Sequence, residues 1–313
     1  MIHLADLPDI SSSPAPTYRG RFAPTPSGPL HLGSLLTALA SWLQARAHNG
    51  RWLLRIDDLD RERCRPGMAD VILRQLEAHG LHWDDPPRYQ TQHLDAYRDA
   101  LAQLRATGAL YACGCSRARL KAESRPGPEG PIYCGRCRNR ALPEQNRALR
   151  LRVGNETMAF DDGWQGTQRC VLARDIGDFV VWRRDGLPAY QLACAVDESA
   201  QGITEVVRGC DLLGSTFMQR YVMDRLRLHG PAYRHLPLLM AADGRKLSKQ
   251  NHAPPIDAAS AGRNLLRCLQ ALRQHPPAAL HGADVAEILA WAAAHWNPDR
   301  VPAQHGVQVE PWA

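Results

Sequence analysis

The chain has 313 residues, with 44% hydrophobic and 22% charged side chains and a formal net charge of +6, which is typical of a folded globular protein and excludes an intrinsically disordered one. Its length suits one large or two modest domains, and the excess of positive charge is weak evidence for a polyanionic partner. The first eighteen residues contain no Lys or Arg and no apolar run of signal-peptide type, and no later apolar stretch reaches membrane-spanning length. We therefore expect a cytoplasmic protein without a membrane segment.

The N-terminal third alternates strand and helix patterns. The predicted elements are a strand at 18–23, a helix at 31–48, a strand at 51–57, and helices at 66–79 and 93–107. Asn49 with Gly50, Gly80 and Gly108 follow the three helices, and these residue types commonly end helices. A strand, a helix and a strand in succession predict the beginning of a parallel sheet.

The rest of the chain contains an insertion, a second α/β region and a tail. The insertion, 113–145, is rich in Cys, Gly, Pro and Arg, and we expect it to have little core of its own. Short strands are predicted within 148–184, in ALRLRV, CVLAR and FVVWRR, and α/β alternation resumes from 188 with a helix near 215–228. After Pro254 the pattern predicts two helices and a frayed end.

The stretch RFAPTPSGPLHLGS, residues 21–34, joins the first strand to the first helix through three prolines. A helix that starts after a strand offers free N–H groups and a positive dipole end, which attract phosphate. The Rossmann pattern G-x-G-x-x-G is absent. Instead, His31 can donate to a phosphate from the first helical turn, and Gly33 allows close approach. Taken alone, the stretch fits a proline-rich loop with an incidental histidine equally well.

A second motif, DGRKLSKQ at 243–250, follows the apolar segment LPLLM. Of the 38 basic residues only three are lysines, and two of them, Lys246 and Lys249, lie in this glycine-bearing loop. A Lys ammonium group on a flexible stem suits a moving phosphate better than the rigid fork of Arg. The motif therefore indicates phosphate binding, and a solvated charged loop is the alternative.

Four cysteines crowd into residues 113–137 with the spacing of metal ligands. CGC contains Cys113 and Cys115, and YCGRC contains Cys134 and Cys137. Four thiolates would form a closed tetrahedral zinc site, which would give the Gly- and Pro-rich insertion a fixed geometry. Four unrelated thiols are the alternative, and the other five cysteines are scattered and predicted to be structural.

The two phosphate motifs together resemble a known family. HLGS after a strand and KLSKQ near the end of an α/β region resemble the HIGH and KMSKS signatures of class I aminoacyl-tRNA synthetases, and RFAPTPSGPLHLGS with LLRIDDLD resembles their glutamyl branch. The resemblance covers about Arg19 to Gln250. The short length, the cysteine insertion, PAYQLACAVDE and VVRGCDLL are similar to the glutamyl-queuosine tRNA(Asp) synthetases, truncated relatives that attach glutamate to the modified base queuosine.

This resemblance implies an α/β fold, in which a Rossmann-like catalytic domain with a parallel sheet carries a zinc-bearing insertion and a short C-terminal helical segment. The implied parts are 18–112 and 188–253 for the two halves of the catalytic domain, 113–187 for the insertion with its zinc site and acceptor-contacting strands, and 254–313 for the C-terminal segment. The 63 residues after Gln250 are too few for an anticodon-binding domain with its own core.

The resemblance also implies ATP-dependent activation of glutamate, in which the enzyme supplies positioning and charge stabilisation rather than a nucleophile. The implied ATP contacts are His31, Gly33, Lys246 and Lys249, of which His31 and Lys249 are catalytic. The implied glutamate contacts are Arg21, Phe22, Ala23, Pro24, Thr25, Asp57, Tyr190 and Arg208. Chemically, Arg21 and Arg208 can each pair with a carboxylate, Tyr190 can add a neutral hydrogen bond, and Asp57 would face the α-ammonium group.

Two features of this assignment stay open. The family usually has Glu in RIEDxD where this chain has Asp57, so either a water bridges the missing methylene or the pocket shifts. Without the resemblance, a surface ion pair for Arg208 and a turn carboxylate for Asp57 would be favoured. The family pattern places one structural Zn²⁺ per chain on Cys113, Cys115, Tyr133 and Cys137, whereas thiolate chemistry favours Cys134 over Tyr133. We predict the Tyr133 set.

The implied partners are L-glutamate, ATP with Mg²⁺, and tRNA(Asp) carrying queuosine, and we expect a monomer. Basic residues near the cysteines are candidate phosphate contacts, although each could equally be part of a solvated face: Arg117, Arg119, Arg136, Arg138 and Arg140. Two alternative functions remain, namely a truncated glutamyl-tRNA synthetase that charges the tRNA 3′ end and a catalytically silent tRNA-binding paralogue. The intact His31, Gly33, Lys246 and Lys249 argue against silence.

Overall fold

The computed structural model describes residues 17–127, 130–240 and 254–308. The KLSKQ motif, with Lys246 and Lys249, lies outside these residues. Across the described ranges, no helix combines the length and the apolar character needed to cross a membrane.

The N-terminal strands form one half of the central sheet. β1 (Arg19–Phe22) runs parallel to β2 (Arg51–Ile56), and β2 runs parallel to β3 (Arg88–Tyr89). Between β1 and β2 lies α1 (Leu32–Ala47), whose leucines are buried in the core. The helix ends at Asn49, which has a φ of 50°. The predicted strand-helix-strand unit and the parallel sheet are confirmed.

The other half of the sheet comes from later in the chain. Its strands are β6 (Thr157–Asp162), β7 (Gly166–Val171), β9 (Glu205–Gly209) and β10 (Ala232–Leu236). β10 is parallel to both β9 and β6, and β7 closes an antiparallel hairpin with β6. β1 and β9 are neighbours, since the Arg19 N–H donates to Thr204 Oγ1 and the Thr204 N–H donates to the Arg19 carbonyl. The strand order runs away from this pair in both directions, and such a switch point is where α/β sheets bind ligands.

Helices cover the sheet and form two apolar cores. The remaining helices of the described part are α2 (Met68–Ala78), α3 (Leu94–Ala106), α4 (Arg117–Glu123), α5 (Leu172–Asp175), α6 (Tyr190–Ala200), α7 (Leu213–Leu226), α8 (Ala261–Ala271) and α9 (Val285–His295). One core joins α1 and β2 to α8 and α9, and the second joins α3, α6 and α7. The two predicted C-terminal helices are therefore confirmed, and they pack against α1 and β2 rather than forming a separate core.

The insertion has a small antiparallel sheet, in the order β4 (Leu110–Cys113), β5 (Ala148–Leu151) and β8 (Phe179–Trp182). Strands predicted in ALRLRV and FVVWRR are confirmed, whereas the strand in CVLAR gives way to α5 after Val171. The β6 strand was not predicted, and the β6–β7 hairpin joins the central sheet. The strands of 113–187 thus divide between two sheets, and the domain division itself stays a prediction.

The tail contains a short strand that the sequence analysis did not predict, and residues 309–313, where the frayed end is expected, lie outside the described residues. β12 (Gly306–Gln308) pairs in parallel with β11 (Leu238–Met240), and the Leu238 N–H donates to the His305 carbonyl. An unpaired strand edge offers N–H and C=O groups that a three-residue segment can satisfy, and periodicity cannot reveal so short a strand.

Candidate functional site

A cavity of about 810 Å³ opens at the carboxyl ends of β1 and β9, beside the start of α1. Nine of the predicted site residues line it: Arg21, Phe22, Ala23, Pro24, Thr25, His31, Gly33, Tyr190 and Arg208. This volume lies within the range of about 300–1,000 Å³ that is usual for ligand sites. The predicted ATP and glutamate contacts therefore share one cavity, except for Asp57, which does not line it, and the two lysines that lie outside the described residues.

His31 stands at the N-terminus of α1 as its capping residue, one position before the predicted helical turn. Its Nδ1 accepts from the Ser34 backbone N–H at 3.3 Å, and its Nε2 lies 3.0 Å from Ser34 Oγ. The Nδ1 atom is thus an acceptor, so Nε2 carries the proton in this arrangement. Gly33 and Ser34 line the cavity next to it. The site therefore combines a helix N-terminus, an imidazole and a glycine, which suits phosphate oxygens.

Arg21, on β1, is buried at the cavity wall and is held by an acidic partner from α6. Its Nε donates to Glu198 Oε1 at 3.0 Å, and its Nη1 donates to the Val207 carbonyl at 3.2 Å. Glu198 is 1% exposed. Within the described residues, Arg21 Nη2 makes no hydrogen bond, and its donors remain for a ligand. Arg21 thus presents one edge of a fixed guanidinium group to the cavity.

Arg208, on β9, is buried, with 4% of its surface exposed. The alternative prediction, that Arg208 forms an ion pair at the surface, is therefore wrong. Its Nε lies 3.2 Å from His235 Nε2, and its Nη1 donates to Gln219 Oε1 at 2.8 Å. Its Nη2 donates to Thr216 Oγ1 at 2.7 Å and to the Leu212 carbonyl at 3.3 Å. Neutral acceptors hold this cation, so its charge is not cancelled by a contacting carboxylate among the described residues. Such a cation is suited to an anionic ligand group.

Asp57 lies behind the cavity wall and is engaged by a neighbouring cation. Its Oδ1 accepts from Arg55 Nε at 2.7 Å, and its backbone N–H donates to the Pro24 carbonyl at 3.0 Å. Burial raises the pKa of the Asp57 carboxyl to about 6, although Arg55 opposes the shift. Asp57 is therefore a buried acid in an ion pair rather than a turn carboxylate at the surface.

Four buried residues of this region were missed by the sequence analysis: Arg55, Asp162, Glu198 and His235. Their common signal is a charged or titratable residue inside an apolar segment, as in LACAVDE and RHLPLL. Such residues are almost never fully buried without a partner, so this pattern could have predicted that Glu198 and His235 contact Arg21 and Arg208.

The cysteine cluster forms a compact buried group with Tyr133 inside it. The Sγ atoms of Cys113, Cys115 and Cys137 all lie within 4.8 Å of one another. The Cys115 and Cys137 sulfurs are 3.7 Å apart, which is too long for a disulfide of about 2.05 Å. Two thiolates on a tetrahedral zinc with bonds of about 2.3 Å would stand about 3.8 Å apart. The spacing therefore fits a metal site.

Tyr133 and Cys134 occupy different environments. The Tyr133 hydroxyl lies 3.6 Å from the sulfurs of both Cys113 and Cys115 and accepts from the Cys137 N–H at 2.8 Å. Cys134 is exposed, and its sulfur lies 3.9 Å from a Glu123 oxygen. An oxygen and a sulfur bound to the same zinc would be about 3.5 Å apart. The geometry thus places the Tyr133 hydroxyl, rather than the Cys134 thiol, among the other three donors.

The electrostatics of the cluster favour a thiolate at Cys113 but not at Cys115, because burial raises the pKa of the Cys115 thiol to about 11. Burial raises the pKa of the Cys113 thiol, but hydrogen bonds from Arg150, the Cys115 backbone and Tyr133 outweigh it and bring the pKa to about 7. Arg150 also stacks on the Tyr133 ring, with its guanidinium carbon 3.9 Å from the ring centre.

Three of the five candidate tRNA-contacting arginines form ion pairs. Arg136 and Arg119 both pair with Glu123, and Arg138 pairs with Asp178 at 2.8 Å. Arg117 and Arg140 are exposed. Their role in phosphate binding stays a prediction.

Comparison with known proteins gives three findings. Residues 17–262 match the catalytic-domain model of the class I tRNA synthetases for Glu and Gln. The chain is 48% identical over 293 residues to a glutamyl-Q tRNA(Asp) synthetase of Pseudomonas fluorescens, covering 94% of this chain and 96% of that protein, and 50% identical over 285 residues to one of Ectopseudomonas mendocina, covering 91% and 95%. A crystal structure of a glutamate tRNA ligase from Elizabethkingia meningosepticum superposes with a TM-score of 0.76 at 23% identity, covering 94% of this chain and 67% of that one, which shows a common fold.

Proposed function

Because the chain belongs to the glutamyl-Q tRNA(Asp) synthetase family of class I tRNA synthetases, we propose that it activates L-glutamate with ATP and transfers the glutamate to queuosine in tRNA(Asp). One observation carries the proposal: the same cavity is lined by His31, at the N-terminus of α1, and by the buried arginines Arg21 and Arg208. A dicarboxylic amino acid and a triphosphate are the ligands that this combination suits.

Activation proceeds by attack of a glutamate carboxylate oxygen on the α-phosphorus of ATP, and the bond to the leaving pyrophosphate breaks. His31 and the first N–H groups of α1 bind phosphate oxygens, and Gly33 leaves room for them. ATP enters with Mg²⁺ and is also held by Lys246, while Lys249 stabilises the charge that grows on the pyrophosphate. The protein contributes positioning and charge stabilisation.

Glutamate binds with one carboxylate on Arg21 and the other on Arg208, and Tyr190 adds a neutral hydrogen bond. The segment Phe22, Ala23, Pro24 and Thr25 forms the wall of the pocket. Asp57 holds the α-ammonium group through a bridging water, because its side chain does not line the cavity. Because these glutamate contacts all fall within residues 18–112 and 188–253, the two ranges together form the catalytic unit.

A structural Zn²⁺ ion would be held by Cys113, Cys115, Tyr133 and Cys137. The buried sulfurs and the phenol oxygen have the spacing of a tetrahedral set, and Cys134 stays outside it. When bound, the metal would fix the shape of the segment 113–145, which has few buried apolar residues besides those of the cysteine cluster.

The acceptor is the cyclopentenediol hydroxyl of queuosine, which attacks the glutamyl adenylate where a 3′-terminal ribose would otherwise lie. The segment 254–308 supplies α8, α9 and β12, which pack against α1 and β11 rather than forming a separate tRNA-binding unit. The protein acts as a monomer, and the anticodon loop itself enters the active site.

The experiment that tests this function compares two acceptors. One is tRNA(Asp) that carries queuosine but lacks its 3′-terminal nucleotides, and the other is intact tRNA(Asp) with guanosine in place of queuosine. We expect the first to accept labelled glutamate and the second to refuse it. The reverse result would identify a truncated synthetase that charges the 3′ end, and failure of glutamate-dependent pyrophosphate exchange would indicate a silent tRNA-binding paralogue.

A further inference from the structure

We propose that Asp162 and His235 are positioning residues for Arg208, and that they fix how its guanidinium group meets the amino acid. This inference rests on the proposed function, in which Arg208 binds a carboxylate of glutamate. Neither residue lines the cavity, so they act through Arg208.

Asp162 sets the tautomer of His235. Its Oδ2 lies 2.5 Å from His235 Nδ1, and its Oδ1 accepts the backbone N–H groups of His235, Trp164 and Gln165 at 3.1, 3.0 and 2.9 Å. A carboxylate with so many donors is ionised and can only accept, so the proton of the imidazole is on Nδ1. Burial and the nearby Arg208 also keep the pKa of His235 below its usual value, which favours the neutral ring.

The other ring nitrogen then holds Arg208. With its proton on Nδ1, His235 can accept at Nε2 from Arg208 Nε at 3.2 Å. Thr216 Oγ1 lies 3.1 Å from the same nitrogen and can also donate to it. A proton on Nε2 would instead point at the N–H of a cation. Asp162 therefore holds the proton on His235 Nδ1, and only this tautomer leaves Nε2 free to accept from Arg208.

This arrangement leaves Arg208 one free donor. A guanidinium group has five N–H donors, and His235, Gln219, Thr216 and the Leu212 carbonyl take four of them within the described part of the chain. The remaining donor is on Nη1. Arg208 therefore offers one N–H in a fixed direction rather than a rotating fork, and it holds a carboxylate oxygen of the amino acid at one position.

Three variants test the positioning role. His235→Asn keeps an N–H near Asp162 but removes the acceptor for Arg208, whereas His235→Gln can reach Arg208 with its amide oxygen. His79→Asn is the matched control, because His79 is also a fully buried histidine that bonds on both ring nitrogens, to Gln75 and Asn264, away from the cavity. Each variant is assayed by pyrophosphate exchange, and its folding is followed by thermal unfolding.

We expect His235→Asn to raise the KM for glutamate at least about tenfold with the KM for ATP within about twofold, which is the pattern of a lost binding contact. His235→Gln should recover most of the glutamate KM, and His79→Asn should change neither KM. A folded His235→Asn protein with the wild-type glutamate KM overturns the inference while leaving the proposed function intact. A wild-type protein without glutamate-dependent exchange overturns the function first.

A measurement on the unmodified protein covers the case in which the variants do not fold. Long-range ¹H–¹⁵N spectra of histidine-labelled protein distinguish the two neutral tautomers and the imidazolium ion. We expect one buried histidine other than His79 to carry its proton on Nδ1, with a far-downfield proton from the bond to Asp162. His79 also carries its proton on Nδ1, because that nitrogen lies 2.7 Å from the Gln75 carbonyl. A spectrum in which no buried histidine other than His79 carries its proton on Nδ1 alone therefore overturns the inference.

Discussion

Glu198 joins two buried arginines, since its Oε1 accepts from Arg21 Nε at 3.0 Å and lies 3.2 Å from Arg55 Nη1. Burial raises the pKa of the Glu198 carboxyl, but Arg21, Arg55 and Arg208 outweigh it and hold the pKa below its usual value. Glu198 is therefore ionised and fixes Arg21 at the wall of the cavity, although it does not line the cavity itself.

Replacing Glu198 with Gln should destabilise the protein and weaken glutamate binding. The variant leaves two buried cations without their shared anion, and breaking a buried pair costs about 3–5 kcal/mol. We expect that loss in urea unfolding, together with a rise of at least about tenfold in the glutamate KM. Because the pKa of Glu198 is lowered, the stability difference from wild type is present above the ordinary carboxyl pKa of 4.5 and shrinks as the pH falls below it.

Glu205→Gln provides the matched control for that experiment. Glu205 also pairs with an arginine, Arg234, at 2.8 Å, but it lies at the start of β9 and does not line the cavity. It should lose little stability and keep its glutamate KM. Equal effects of both variants on that KM would contradict a role for Glu198 in holding Arg21.

Asp57 predicts a pH dependence of glutamate binding. Its carboxyl has a pKa of about 6, and only the ionised form attracts an ammonium group. The KM for glutamate should therefore rise toward about tenfold per pH unit below about pH 6, with the KM for ATP flat. Asp57→Asn should abolish this dependence. The substrate's own carboxyl groups titrate lower, so exchange assays between about pH 5 and 7.5 isolate the effect.

Asp57→Glu restores the longer side chain of the family motif. If a water bridges Asp57 to the ammonium group, the longer carboxylate should displace it and change the glutamate KM. A KM that is indifferent to both Asp57 variants would mean that the ammonium group is bound elsewhere.

The metal site predicts about one zinc per chain in purified protein, measured by elemental analysis. Cys113→Ser should lose metal and soluble yield, because one of three buried thiolates is removed. Tyr133→Phe should lower the zinc content. Cys134→Ser should leave the zinc content unchanged, because Cys134 is exposed and its thiol donates a hydrogen bond to Glu123. Full zinc retention in Tyr133→Phe would contradict the proposed ligand set, and a folded metal-free wild type would remove the site altogether.

Lys249→Ala should lower the rate of glutamate-dependent pyrophosphate exchange at least about a hundredfold, the scale for the loss of one transition-state charge contact. Lys121→Ala is the control, because Lys121 is an exposed lysine on α4. An unchanged rate in Lys249→Ala would show that the lysine motif has no part in activation.

The sequence by itself determined the features that depend on neighbouring residues. Strand and helix patterns predicted β1, α1 and β2, because hydrophobic periodicity and the stop at Asn49 are local properties. The phosphate motif at 21–34 and the metal-ligand spacing of the cysteines could also be recognised in the sequence, because the functional side chains of each motif are close together in the chain. The resemblance built on these motifs pointed to the family that the comparisons then gave.

Only the tertiary structure decided which residues are the partners of the buried charged side chains. Glu198 stands 177 residues from Arg21, and His235 stands 73 residues from Asp162, so no local pattern links them. The same applies to β12, which became a strand only because the edge of β11 was available to it. The choice between Tyr133 and Cys134 was likewise spatial, because adjacent residues in an irregular segment point in different directions and only one of them faces the three thiols. A buried charge or donor is stable only with a partner, and the fold alone brings that partner to it.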